Sequence, residues 1–343
     1  MRADLRSSER HMLFAAAAGA VASLALALID PAAALTGWLG AAAAFAAIPA
    51  GSLCLLAMMT LIPGVWGEAL RLTCEAGTLL ALPALLAFVP VLLGMGVIYP
   101  WMIHGPQTPF QSVWLGPLPF ALRTMLWFAL LWSASGAIRA RHRTRVVAAG
   151  ALVAFPVLGS LVAIDWLMSL DLKLASSAFG LQILILSVTL AFAVLLLFRI
   201  TLGGRPYRVG VSGGLLLCLL LMWAYIQFLT FFILWSPGLP DGAAWYGRRA
   251  GGWDAAEWAF ALLGGWPLLA LLLARFRRNA AWLARLCISV IAGKLIEFAW
   301  FALPGSGPLA VASFALAAAA LASVTAVGLA VAMRRRIGTR APA

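Results

Sequence analysis

The sequence specifies an all-α, polytopic integral membrane protein of about ten transmembrane helices, and three features point to it. Of its 343 residues 64% are hydrophobic and only 10% charged, with a mean hydropathy of +1.02. Soluble domains run about 45–50% apolar and about 25% charged. Stretches of about 20 residues, nearly free of charge, recur along the whole chain, and each can cross ~30 Å of hydrocarbon as a helix. The arginines gather in short tracts between those stretches.

Taken in order, the spans read as 11–29, 39–61, 76–98, 118–138, 146–168, 177–198, 211–235, 255–274, 281–303 and 309–333. The first follows Arg2, Arg6 and Arg10, and Ala32 to Ala34 resembles a cleavable site. Its apolar run nevertheless exceeds the roughly 7–15 residues of a signal-peptide core, so a retained helix is expected. Asp30 followed by Pro31 reads as the terminator of that span. Pro, Gly and Trp fill the longer connections, 99–119 and 236–253.

Alternation of the spans sorts the basic residues. One side collects Arg2, Arg6 and Arg10, then Arg71, then Arg139, Arg141, Arg143 and Arg145, then Arg199, Arg205 and Arg208. The same side takes Arg275, Arg277, Arg278 and Arg285, and finally Arg334, Arg335, Arg336 and Arg340. The other side has only Lys173, Arg248 and Arg249. Positive residues mark the cytoplasmic loops, so both termini are expected in the cytoplasm. The net charge of +13 is thereby assigned to topology in a lipid bilayer and not to nucleic acid. The opposite face would carry an aromatic belt of Trp101, Trp114, Trp166, Trp235, Trp245 and Trp253.

Several chemistries are excluded. Cys54, Cys74, Cys218 and Cys287 are scattered through apolar segments without the clustering an iron–sulfur site needs, and read as buried structural residues. His11, His104 and His142 fall at span edges or in loops, which leaves no axial pair for a haem within the spans. No Walker loop, Rossmann glycine pattern or HExxH occurs, so the chain has no metal or cofactor site of its own and no catalytic residue is assigned.

Ionisable side chains within spans cost several kcal/mol unless paired or hydrated, which makes each a functional candidate. Glu75 is read at the start of the third span, near the cytoplasmic face, and Arg123 about 8 Å into the fourth from the other face. Asp165 lies at the end of the fifth; Lys294 and Glu297 lie three apart on one face of the ninth and can pair. One reading is a self-neutralising ion pair; the other joins Arg123, Asp165, Lys294 and Glu297 into one hydrated cluster fit for a proton path. Tyr225 and Gln227 supply supporting polar tips. Asp171 and Lys173 read as solvated loop residues.

With the spans in place, several motifs resemble those of a known family. The stretches are CEAGTLLALPALLAFVPVLLGMGVIYPW (74–101), PFALRTMLWFALLW (119–132), DWLMSLDLKLASSAFG (165–180), MWAYIQFLTFFILWSPGLPDGAAWYGRR (222–249), GGW (251–253) and KLIEFAWFALPG (294–305). Together they resemble the ActF-type membrane subunit of alternative complex III, within the NrfD/polysulfide-reductase superfamily. The likeness covers roughly residues 70 to 305.

The resemblance implies two four-helix bundles, 39–168 and 177–303, in a single membrane domain spanning 1–343, with helices 11–29 and 309–333 peripheral. It implies a quinol-oxidising respiratory complex in the bacterial inner membrane. Quinone would bind in a related ten-span NrfD-like subunit. Haems c and iron–sulfur clusters would belong to c-type cytochrome and iron–sulfur partner subunits. This chain would then be an oxidoreductase subunit without its own redox centre. By position Glu75, Arg123, Asp165, Lys294 and Glu297 match places where the family carries charge, with Lys294 and Glu297 standing where Arg and Asp are usual. The family's polar step after WAY reads Leu229-Thr230 here, and its LPEE-like turn reads LPDG with Gly242. Two other readings stay open: a secondary transporter coupled through the same charges, and a purely structural scaffold.

Overall fold

Proline, glycine and short polar caps set where these helices begin and end. The computed structural model describes residues 6–140, 144–202, 208–235 and 240–338; Arg2, Arg141, Arg143, Arg205 and Arg340, used above for topology, and His142 lie outside them. α1 (Ser7–Ala25) closes in a 3₁₀ turn. Asp30 then accepts the Ala33 amide at 3.0 Å with Pro31 in the first helical position. This is a helix start of the preferred kind, so α2 (Pro31–Leu61) begins eight residues before the expected 39. The Asp-Pro step is therefore the cap of the second span as much as the end of the first.

α3 (Val65–Gly77) likewise starts well ahead of residue 76. Beyond it Pro83, Pro90 and Gly94 interrupt the helix, giving α4 (Ala81–Ala87), α5 (Val89–Leu93) and α6 (Met95–Ile98). Proline removes a backbone donor and clashes with the preceding turn, which breaks a helix at that point. α7 (Pro100–Ile103) and α8 (Pro109–Trp114) lead into α9 (Pro117–Arg139). α10 (Thr144–Trp166), α11 (Phe179–Thr201) and α12 (Val209–Leu234) follow. After α13 (Pro240–Gly247) come α14 (Trp253–Leu272), α15 (Ala274–Arg277), α16 (Ala280–Ala302) and α17 (Gly307–Gly338).

Among the described residues nine helical stretches are long and apolar enough to cross a membrane. α16 has the length, 23 residues, but Arg285, Lys294 and Glu297 interrupt its apolar run. It packs against α2, α11 and α14 all the same, and is the tenth long helix of the assembly. The molecule is an all-α, multi-pass membrane protein.

Neighbouring helices close two rings. In the first, α2 meets α3 and α10, α10 meets α9, and α9 meets α4; in the second, α11, α12, α14 and α16 pack in that order, α16 returning to α11. The rings join where α2 packs on α11 and α16, and α10 on α11. α17 lies along α2 on the outside and α1 lies along α17.

Small residues permit these approaches, as they do generally between membrane helices. A Cβ at Gly51 would collide with Ala191 Cβ and come within 3.1 Å of Val188 Cα on α11. One at Gly37 would come within 2.8 Å of Ser313 Cβ on α17. Ser23 Oγ donates to the Ser313 carbonyl at 3.0 Å, and Ser313 Oγ to the Ala34 carbonyl at 2.7 Å, which ties α1, α17 and α2 together.

Two expectations need correction. Trp101, Trp166 and Trp245 are not a surface belt: all three are buried, packed with Tyr99, Phe88 and Trp300 respectively. Trp235 alone of the six is exposed, with Trp114 and Trp253 half-buried. Of the cysteines Cys74 and Cys287 are buried and Cys54 is half-buried, whereas Cys218 faces outward from α12.

Candidate functional site

The intramembrane charges resolve into separate ion pairs. In the first ring, Thr108 caps α8 by accepting the Gln111 amide at 3.2 Å, and the Gly116–Pro117 step folds Trp114 back over the start of α9. Arg123, two turns into α9, then meets Asp165 at the end of α10. Arg123 Nε lies 2.5 Å from Asp165 Oδ2 and Nη2 2.9 Å from Oδ1, a two-pronged pairing of guanidinium and carboxylate. Trp114 completes the site: its Nε1 donates to Asp165 Oδ1 at 3.1 Å, its carbonyl accepts Arg123 Nη2 at 3.0 Å, and its ring lies 4.2 Å beneath the guanidinium carbon. Ser169 Oγ donates to the Asp165 carbonyl at 2.5 Å. Asp165 is wholly enclosed.

The second ring holds Lys294 and Glu297, both 0% exposed, with Nζ donating to Oε2 at 2.9 Å. The i,i+3 spacing on α16 produces this contact directly. Two residues of α12 surround it. Trp223 Nε1 donates to both Glu297 oxygens at 3.0 Å, while Lys294 Nζ sits 3.1 Å from the Trp223 ring centroid. Gln227 Nε2 donates to Glu297 Oε1 at 2.9 Å, and Gln182 of α11 donates to Gln227 Oε1 in turn. The result is a polar chain from the first turn of α11 inward to Lys294.

Glu75 lies further along its helix than the span read from sequence implied. It is the eleventh residue of α3, about 15 Å along it, and it is buried. Arg71 Nε pairs with it at 3.1 Å. Thr78 Oγ1 donates to its carbonyl at 2.8 Å and in turn accepts from Arg139 Nη1, while Arg199 Nε donates to the nearby Ala69 carbonyl at 3.0 Å. Asp171 bonds Arg248 at the surface, tying the α10–α11 connection to that between α13 and α14.

Of the two readings left open by the sequence, the structure shows Lys294 and Glu297 as a pair and does not join Arg123 and Asp165 to them. Among the described residues no hydrogen bond or ion pair links the two pairs. A cavity of about 30 Å³ lies between the rings, walled by Ala46, Ala50, Ala163, Trp166 and Phe298, with Ser187 the lone hydroxyl. That volume holds one or two waters at most. Its walls offer almost no polar partner, because Ser187 Oγ is already bonded to the Ile183 carbonyl at 2.7 Å. Tyr225 also departs from expectation: it points outward, 58% exposed, on the face of α12 away from Gln227.

Sequence reasoning missed Trp114, Trp223 and Gln182. A signal for the first was present. Pro109, Trp114 and Gly116 repeat the spacing of Pro240, Trp245 and Gly247, each set beginning the short helix that precedes the third member of a ring. Ile164-Asp165-Trp166 near the end of one ring is likewise matched by Ile296-Glu297-Phe298 near the end of the other. No group of three or more His, Cys, Asp or Glu able to hold a metal occurs among the described residues. Compared with known proteins, the chain matches no family model and no curated protein.

Proposed function

We propose that this chain is a non-catalytic integral-membrane subunit of a quinol-oxidising respiratory electron-transfer complex of the ActF type. In that reading it forms a wall beside a quinone-binding subunit and carries a buried proton-accepting site in its second ring. The observation that carries the reading is spatial. The motif stretches behind the resemblance, PFALRT, DWLMSL, MWAYIQ and KLIEF, lie far apart in the chain. Their side chains Arg123, Asp165, Trp223, Gln227, Lys294 and Glu297 nonetheless come together, among the described residues, in two enclosed polar sites.

A fully enclosed ion pair is weak evidence for stability, since two well-packed apolar residues serve as well or better. Intramembrane charges of this sort commonly mark proton relays. The apolar partition between the rings argues against one continuous route through Asp165 and Glu297, so the proton-handling role is assigned to the Gln182–Gln227–Glu297–Lys294 chain alone. Haems, iron–sulfur clusters and the quinone site belong, in this reading, to partner subunits. The arginine distribution orients both termini to the cytoplasm of a bacterial inner membrane.

The test is a clean deletion. Membranes lacking the chain are expected to lose quinol-dependent electron transfer, and the tagged chain to co-purify with haem- and iron–sulfur-bearing partners. Unimpaired quinol turnover in the deletion strain would refute the reading. Substituting Glu297→Gln with Asp165→Asn separates the roles: a scaffold would keep full proton-coupled turnover in the assembled complex, a proton site would not.

A further inference from the structure

The second ring contains a guanidinium with no carboxylate. Arg249 follows α13, outside the membrane-crossing helices, and only 7% of it is exposed. Its carbon lies 3.5 Å from the Trp245 ring centroid and 5.0 Å from that of Trp300. Its hydrogen bonds go to main-chain oxygens: Nη1 to the Trp245 carbonyl at 3.0 Å and Nε to the Trp300 carbonyl at 3.4 Å. Nη2 makes no hydrogen bond to any described residue, and no acid lies within ion-pair distance. The nearest acids are Asp171, held by Arg248, and Glu257. Burial pushes the Arg249 guanidinium down to about 9, which leaves it charged at neutral pH.

Its surroundings are also rich in donors and poor in acceptors. Trp300 Nε1 is buried without a partner, although indole can only donate. The Tyr246 hydroxyl, on a ring 5.9 Å from that of Trp300, makes no hydrogen bond to a described residue. The contrast with the first ring is instructive. There, too, a tryptophan of a Pro-x₄-Trp-x-Gly helix stacks on an arginine, and Asp165 neutralises it. In the second ring the corresponding acid, Glu297, is already saturated by Lys294, Trp223 and Gln227. An enclosed charge without a counter-ion is costly; Trp300 Nε1 is sealed, but Arg249 Nη2 and the Tyr246 hydroxyl are not and can meet an oxyanion.

We propose that Arg249 and Tyr246 form a phosphate-binding site at the membrane-surface end of the second ring, filled by the headgroup phosphate of an anionic phospholipid. Depth and chemistry agree. Arg249 lies four residues before Trp253, where a membrane-crossing helix begins, and arginine is the side chain best shaped for phosphate. Inorganic phosphate shares that chemistry, and the experiment separates the two.

The full chain, purified in phosphate-free detergent, is titrated with phosphatidylglycerol and separately with inorganic phosphate. Retained lipid is counted by native mass spectrometry and thermal unfolding is followed in parallel. Wild type is expected to keep one phosphatidylglycerol, with affinity falling about tenfold or more in Arg249→Gln, since a bond to a charged group is worth about 1.5–3 kcal/mol. Arg248→Gln, altering the exposed neighbour, should bind as wild type does. Phosphate that stabilises wild type but not Arg249→Gln, with no lipid retained, assigns the site to a free anion. If Arg249→Gln does not fold, Tyr246→Phe keeps the ring packing and removes one donor, and is expected to weaken binding severalfold. Equal retention and equal thermal shift in wild type, Arg249→Gln and Tyr246→Phe, or no response of wild type to either probe, overturns the proposal.

Discussion

Glu297 accepts from three side chains and is sealed from solvent, so its neighbours have no second acceptor to turn to. Glu297→Gln leaves the Lys294 ammonium without its counter-charge, and breaking a buried pair in this way costs about 3–5 kcal/mol. Lys294→Met with Glu297→Gln removes both charges and is expected to recover most of that loss. A double-mutant cycle measured by detergent-induced unfolding checks it; equal losses in the single and double variants would contradict the pairing. The Lys294–Glu297 contact was legible from spacing alone, since residues three apart share a helical face. The partition between that pair and Arg123–Asp165 was not. Depth along a helix can be counted from its ends, but which ring a charged face turns toward depends on packing between helices far apart in sequence. Trp223 and Gln182 were invisible for the same reason: one indole and one amide among many say nothing until a carboxylate is brought to them.

The starts of most long helices were readable almost to the residue. α9, α10, α11, α12, α14, α16 and α17 begin within two residues of the positions read from sequence. α2 and α3 were not, because alanine and glycine dominate the first turns of α2, while Trp66, Glu68 and Arg71 make the start of α3 look like a loop. The pattern of small residues carries information that hydropathy lacks. Gly51 is where α2 and α11 touch, so Gly51→Val is expected to prise the two rings apart at a cost of about 1–3 kcal/mol, as overpacking of a tight contact does. Gly150, with open space around its Cα, provides the control: Gly150→Val should leave unfolding in detergent nearly unchanged. Comparable losses at both positions would mean that helix propensity and not crowding is being measured.

At the level of the assembly, the reading proposed above has ten helices cross, which returns the chain to its starting side, and takes the arginine-rich side as cytoplasmic. Single cysteines placed at Ser7 and Arg335, in a background with Cys54, Cys74, Cys218 and Cys287 replaced, should resist an impermeant thiol reagent in intact cells and react after the membrane is opened. One at Lys173 should react without opening. Labelling of Ser7 and Arg335 on opposite sides would require an odd number of crossings. The all-α, multi-pass architecture was legible because lipid leaves the backbone few alternatives: each crossing segment must satisfy its own amides. The two interlocked rings were implied only by resemblance, and become visible in the sequence once the twin Pro-x₄-Trp-x-Gly helices are aligned.

The burial of α2 has a consequence for how the protein is made. Almost nine-tenths of its apolar stretch is covered by other helices, some of them, α11, α16 and α17, synthesised much later. During synthesis this alanine-rich segment must therefore stand in the bilayer, or beside the insertion machinery, with bare flanks. Ribosomes stalled before residue 280 would release a chain whose central strut has nothing to lean on, an obvious target for membrane proteases.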